Sequence, residues 1–181
     1  MVNWRVAHSL KVLRMQIDNA YPNRSKRSDG AIGDAAHRKR KSDHNPNRAG
    51  VVQAIDLTHD PNSGFDSYRF AEHLRITKDA RIKYVISNHR IFHRGSWVWQ
   101  RYTQKNPHTA HVHVSVSDDP KLYDAQGLWQ IRQPVQMGIA AVPEPMPEPT
   151  SDDDTGDRCW WENVADKGIE ENEGDLKEPD A

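Results

Sequence analysis

Cysteine is almost missing from this chain. Cys159 stands alone among 181 residues, so neither an intrachain disulfide nor a cysteine-built zinc centre is open to it. Long apolar runs are missing as well. Mean hydropathy is −0.92, and no stretch approaches the roughly 18 apolar residues needed to cross a bilayer. A membrane-spanning protein is thereby excluded, and no membrane partner is expected. The first residues, Met1-Val2-Asn3-Trp4-Arg5-Val6-Ala7-His8, lack the basic-then-apolar layout of a secretory signal, so any export is expected to use another route. A metal, if one is held, must be held by histidine and carboxylate.

What is present is unevenly spread. The net charge of −1 is the sum of two unlike parts: from residue 141 onward 14 acidic residues face only Arg158, Lys167 and Lys177, a balance of −11, while the first 140 residues carry +10. Residues 142–150 (VPEPMPEPT) form a Pro-Glu repeat expected to be extended and semi-rigid. Beyond it the chain is acidic and poor in apolar residues, too short and too polar for a core of its own. The predicted organisation is one folded domain over 1–138, a Pro/Glu-rich linker over 139–151 and an acidic, disordered tail over 152–181.

Within the domain, Val6, Leu10, Leu13 and Ile17 recur at spacings of four and three, which predicts an amphipathic helix over 4–21, stopped by Pro22-Asn23. Residues 22–50 are rich in Asn, Ser, Asp, Gly and basic residues without apolar periodicity, and loops of that length in compact domains are usually functional or disordered. Strands are predicted over 51–57 (VVQAIDL), 83–87 (KYVIS), 90–93 and 97–101 (WVWQR), with a helix over 65–77 capped by Asp66. Residues 111–116 (HVHVSV) alternate throughout, placing His111, His113 and Ser115 on one face and Val112, Val114 and Val116 on the other. The fold class read from these elements is α+β, a small mainly antiparallel sheet flanked by helices.

Ten histidines are many for this length. The His-His-Ser face of 111–116 is either a half-exposed polar strand face or part of a metal site, since imidazole is the commonest protein ligand for zinc and a catalytic zinc takes three protein ligands plus an open position. Asp56 lies in an otherwise apolar strand, facing away from Ile55 and Leu57. A carboxylate there is costly unless it caps a helix, pairs with an arginine or binds a metal.

Taken with the run Ser42-Asp43-His44-Asn45-Pro46, these residues resemble the zinc motif of the D-alanyl-D-alanine metallopeptidase superfamily, which includes the penicillin-insensitive murein endopeptidases, bacteriophage peptidoglycan peptidases and the hedgehog signalling domain. The wider pattern, from Pro22-Asn23-Arg24 through Ile32-Gly33-Asp34, 51–60, 81–88 and 107–116, is similar to a branch common in actinobacterial phages and their hosts. The resemblance spans roughly residues 4–130. It implies a zinc peptidase of the endolysin type, an endopeptidase or carboxypeptidase acting on peptidoglycan, with His44, Asp56 and His113 as zinc ligands. Two departures stand out. Asp56 follows His44 by twelve residues, more than is common in the superfamily, a difference that a lengthened loop absorbs cheaply. Ala110 occupies the position where many members carry a Glu or Asp base. The murein endopeptidases also lack that acid and show histidines at the spacing of His108, His111 and His113, so His108 and His111 are the candidate base and transition-state stabiliser. Either of these histidines as imidazolium, or Arg38 in the basic run Arg38-Lys39-Arg40-Lys41, would steady the oxyanion. His37 is either beside the ligands or a solvated surface residue.

That basic run, with Arg24, Lys26 and Arg27, suits a polyanion: nucleic acid, cell-wall polymer or merely solvent. Trp97 and Trp99 would line a glycopeptide cleft or pack in the core. Three readings compete. The first is a zinc peptidase whose partner is peptidoglycan, monomeric, with no obligate nucleic acid, made in the host cytoplasm and reaching the wall on release or within the virion. The second is a non-catalytic zinc component of a virion or wall-binding protein, which Ala110 keeps open. The third is a metal-dependent nuclease, which leaves Asp56 and the 111–116 strand without a role.

Overall fold

A computed structural model describes residues 4–33 and 41–131. The linker and tail expected over 139–151 and 152–181 lie outside the described residues. Along the chain come β1 (Arg5–Val6), α1 (His8–Ala20), β2 (Val51–Val52), β3 (Ala54–Thr58), a 3-10 turn (Pro61–Ser63), α2 (Ser67–Thr77), β4 (Ile82–Ser87), β5 (Arg90–His93), β6 (Gln100–Arg101), β7 (His111–Val116) and α3 (Pro120–Tyr123). The architecture is α+β. Five strands pair antiparallel in the order β3-β7-β4-β5-β6, and β1 and β2 form a separate parallel pair. Among the described residues no helix is long and apolar enough to cross a membrane.

The alternation of β7 decides the layering. Val112, Val114 and Val116 are fully buried with Ile55, Leu57, Ile82, Val85 and Phe92 from neighbouring strands, and against them pack Leu10, Leu13 and Ile17 of α1 and Phe70, Ala71 and Leu74 of α2. Both helices thus cover one face of the sheet. The other face carries Asp56, His111, His113 and Ser115. Strand β4 could not serve both faces by strict alternation, because Ile82 and Tyr84 would then point the same way. An irregularity in its register between these two residues lets Ile82 enter the core while Tyr84 joins the polar face beside Ser115, the re-aiming that bulges provide near functional sites.

Three elements depart from the sequence pattern. Helix α1 begins at His8 rather than at residue 4, because Arg5 and Val6 pair with Val51 and Val52 and the Ala7 amide bonds the Val52 carbonyl. The run 51–57 is two strands, since at Gln53 the chain leaves β1 and takes β7 as its partner. Of 97–101 only Gln100–Arg101 is strand: the Trp97 amide turns back to the His93 carbonyl and its φ is +52°. Helix α2 follows its pattern closely, and the Asp66 carboxylate accepts from the amides of Tyr68 and Arg69 at 3.0 and 3.2 Å. Asp66→Ala is expected to cost about 1 kcal/mol in urea unfolding, the usual value of such a cap.

The hairpin between β4 and β5 turns on Asn88 and His89, both at positive φ (44° and 61°), the conformation that two-residue hairpins demand. Their amides bond the carbonyls of His108 and Pro107. The hairpin therefore draws the segment before β7 to the end of the sheet, where His108 meets the histidine face.

Candidate metal centre

Three distant parts of the chain converge on the polar sheet face. Asp56 and His113 are directly opposed cross-strand partners on β3 and β7, and the Asp56 Oδ1 lies 3.0 Å from His113 Nδ1. His44 arrives from the long loop. Its Nε2 stands 3.1 Å from His113 Nδ1 and 3.3 Å from Asp56 Oδ2. These residues form a group able to hold a metal ion. The spacing fits: atoms about 2.0–2.1 Å from one tetrahedral ion stand roughly 3.3 Å from one another.

The chemistry of the donor set fits too. His44 Nδ1 lies 2.6 Å from the Ala31 carbonyl, which can only accept, so Nδ1 carries the proton and Nε2 presents a lone pair. Two ring nitrogens and a carboxylate then converge, an arrangement that repels itself unless a cation or a proton sits among them. The titration shifts reflect this. Burial would raise the Asp56 carboxyl, yet hydrogen bonds and positive charge from His113 and His44 hold it well below the usual range. Burial would lower His44, and the carboxylate of Asp56 together with the Ala31 carbonyl outweighs it, leaving His44 above its ordinary value.

The irregular segment holds this face by backbone contact. Gly30 forms a bridge with Asp56 in which each amide bonds the other's carbonyl, at 3.2 and 2.9 Å. A Cβ at Gly30 would lie 3.2 Å from Asp56 Oδ2, so the glycine is what lets the loop lie against a prospective ligand. Gly30→Ala is expected to displace that carboxylate by a few tenths of an ångström and weaken metal binding about tenfold, read by competition with a chromophoric chelator. Asp29, one residue earlier, accepts from the Thr58 amide and hydroxyl at 2.9 and 2.8 Å and ties the loop to β3.

Both candidate catalytic histidines border the centre. His111 Nε2 is 3.8 Å from Asp56 Oδ1, and its ring packs edge-on to that of His108, with centroids 4.9 Å apart. His108 Nδ1 lies 2.7 Å from the Asn106 carbonyl, which leaves Nε2 as its acceptor nitrogen. Its φ of +56° marks a strained backbone. Burial, with His113 and His111 adding to it, pushes His108 down to about 3. Burial also lowers His111. In both rings burial thus disfavours the charged imidazolium form.

The remaining candidates lie elsewhere. Trp97 and Trp99 are on the α2 side of the sheet, both packed against Phe92, with the Trp99 indole donating to Glu72 at 2.7 Å. The packing alternative therefore describes them, and the cleft alternative does not, because neither ring shares a face with Asp56 or His113. Arg24, counted with the basic surface run, has a fully buried side chain ion-paired to Asp18 and Asp29, and Lys26 pairs with Asp18. Residues 37 and 38, the candidate His37 and Arg38, lie outside the described residues. Sequence reasoning passed over Gly30 and Ala31, which carry no side-chain chemistry, and Tyr84, whose inward face depends on the β4 irregularity. Comparison with known protein families, with characterised proteins and with solved structures finds no match for this chain.

Proposed function

We propose that this chain is a zinc peptidase, similar to the D-alanyl-D-alanine metallopeptidase superfamily, that hydrolyses a peptide bond of bacterial peptidoglycan. One observation carries the reading: His44, Asp56 and His113, singled out by the resemblance, meet with ligand spacing although loop, strand β3 and strand β7 bring them from far apart in sequence, and His108 and His111 stand beside them. Zinc in such a site acidifies a bound water toward neutrality and polarises a carbonyl.

The protein's own groups supply the remainder. Asp56 and the two ligand imidazoles leave one side of the centre to His108 and His111. His108, its Nδ1 proton committed to the Asn106 carbonyl, keeps Nε2 as its acceptor nitrogen and is the candidate proton acceptor. His111, whose Nε2 stands 3.8 Å from Asp56 Oδ1, is the second proton carrier and hydrogen-bond donor to developing charge on the substrate oxygen. The wall is the site of action, reached from the host cytoplasm after lysis or from the virion.

Purified peptidoglycan incubated with the zinc-loaded protein should release new amino groups, and the fragment masses name the bond. His108→Ala and His111→Ala should each lower the rate about 10²–10⁴-fold while zinc stays bound. A protein that takes up stoichiometric zinc and binds wall without releasing amino groups would be the non-catalytic component that Ala110 keeps open, and the peptidase reading would fall. Degradation of DNA that survives His113→Ala would point to an unrelated nuclease.

A further inference from the structure

We infer that Arg90 and Arg101, at the β5–β6 edge of the sheet, form an anion site that takes a phosphate group on the face opposite the metal centre. The site uses residues that the proposed function leaves unused, and neither reading depends on the other.

A period of two along β4 and β5 puts Ser87 two residues beyond Val85 and Arg90 two residues before Phe92, so both point to the helix-covered face. Ser87, Arg90 and Arg101 are successive cross-strand partners on β4, β5 and β6. A serine and an arginine thereby stand next to core positions that are filled by Val85 and Phe92. Ser87 is 1% and Arg90 4% exposed. Such groups are costly to bury unless something pairs with them.

The interior does not pair them. The Ser87 hydroxyl and Arg90 Nε are enclosed without a hydrogen bond, and among the described residues no carboxylate forms an ion pair with Arg90. Its guanidinium carbon lies 4.7 Å from the centre of the Trp99 ring, an attraction that leaves the N–H groups unused. Glu72, which meets the other end of that indole, is already spent. It accepts from Arg75 Nε and Nη2 at 2.9 and 2.6 Å and from Trp99 Nε1 at 2.7 Å. Arg101, directly opposite Arg90, adds a like charge, which is destabilising at that spacing. Three arginines therefore gather around one carboxylate.

The missing counter-charge has to come from outside. Of the Arg90 nitrogens only Nε is enclosed without a partner, which leaves the terminal pair at the rim beside the exposed Arg101. Phosphate is the class that fits, because its oxygens can receive two guanidinium forks at once, whereas a carboxylate is filled by one. The Arg90 stem is held by burial and by the indole beneath it, so little side-chain freedom is lost on binding. Arg75 and Glu72 fix that indole without touching the anion.

The test uses the full chain labelled at nitrogen, with inorganic phosphate exchanged for chloride at constant pH and ionic strength. The Arg90 Nε–H and Trp99 indole resonances should shift saturably, and because both groups face away from His113, phosphate taken up by a metal is read separately. Arg90→Gln and the exposed Arg101→Gln should each weaken binding about tenfold or more, with Arg90→Lys, which keeps the charge and loses the fork, in between. Should Arg90→Gln fail to fold, Arg101→Gln carries the test. A glycerol phosphate oligomer that binds more tightly than inorganic phosphate assigns the site to a phosphodiester polymer, and equal binding assigns it to free phosphate. No saturable shift in the wild type, an equal response to acetate, or wild-type affinity in folded Arg101→Gln overturns the inference.

Discussion

With zinc in the centre as proposed, its removal by a chelator at neutral pH is expected to lower the melting temperature by roughly 8–16 °C, and adding zinc back should restore it. A ligand present at a thousand times its dissociation constant stabilises the folded state by about 4 kcal/mol. For a domain of this general size each kcal/mol moves the midpoint by roughly 2–4 °C. The size of the effect comes from the cost of the alternative. Without a cation, two imidazole nitrogens 3.1 Å apart and a largely buried carboxylate must share a proton, a weaker solution than a divalent ion at ligand distance. His113→Ala should abolish the response to both chelator and zinc, whatever its own stability, while His108→Ala should keep it. A wild-type melting curve indifferent to chelator and to added zinc would reduce His44, Asp56 and His113 to an ordinary buried ion-pair cluster and remove the basis of the proposed function.

How far this centre could be read in advance depended on the kind of pattern involved. In strand β7 the assignment of residues to the two faces was legible, because a period of two with valine at every second position admits one core face, although His113 and Ser115 on the other face are buried as well. Asp56 was legible as a carboxylate where apolar residues surround it, although its partners were not: a cap, an arginine or a metal all satisfied the same argument. His44 was legible as a possible ligand in the Ser42–Pro46 run, but its place beside Asp56 and His113 came from the resemblance, because nothing local in an irregular loop says which sheet face it will reach. The contributions of backbone were the least visible. Gly30 and Ala31 hold Asp56 and His44 through amide and carbonyl groups that every residue possesses, so no residue type announces them. For Trp97 and Trp99 the residue type left cleft and core both open, and the turn at Trp97 places them against Phe92 and Glu72 on the far side of the sheet.

Arg24 illustrates how a residue read as surface charge becomes the keystone of the loop, and Arg24→Ala is expected to cost about 3–5 kcal/mol, the penalty for leaving buried charge without its partner. Its side chain is wholly buried. The guanidinium reaches Asp29 Oδ1 and Oδ2 at 2.9 and 2.7 Å and Asp18 Oδ1 at 2.7 Å. Asp29 in turn holds the amide and hydroxyl of Thr58, so removal of Arg24 leaves a carboxylate facing β3 with its strongest donor gone. Arg24→Lys keeps one charge but loses the fork that spans two carboxylates, and should fall between the two. The pH dependence carries a definite sign. Burial would raise Asp29, and the bonds from Arg24 and Thr58 outweigh it and hold its carboxyl below the ordinary value. A depressed carboxyl contributes stability above the unfolded value near 4, and that contribution is lost as pH falls through the lower folded value. Urea unfolding should therefore show the widest gap between wild type and Arg24→Ala at neutral pH, narrowing as the solution is made more acid than about pH 4. A gap that stays constant across this range would mean that the cost arises from lost packing around the arginine stem and not from the ion pair. The consequence extends to the centre, because Asp29 is followed directly by Gly30 and Ala31. A loop released from Arg24 no longer presses its backbone against Asp56 or offers its carbonyl to His44, so the folded fraction of Arg24→Ala should also bind zinc more weakly than wild type. Wild-type zinc affinity in that variant would show that the loop seats itself on β3 without the arginine.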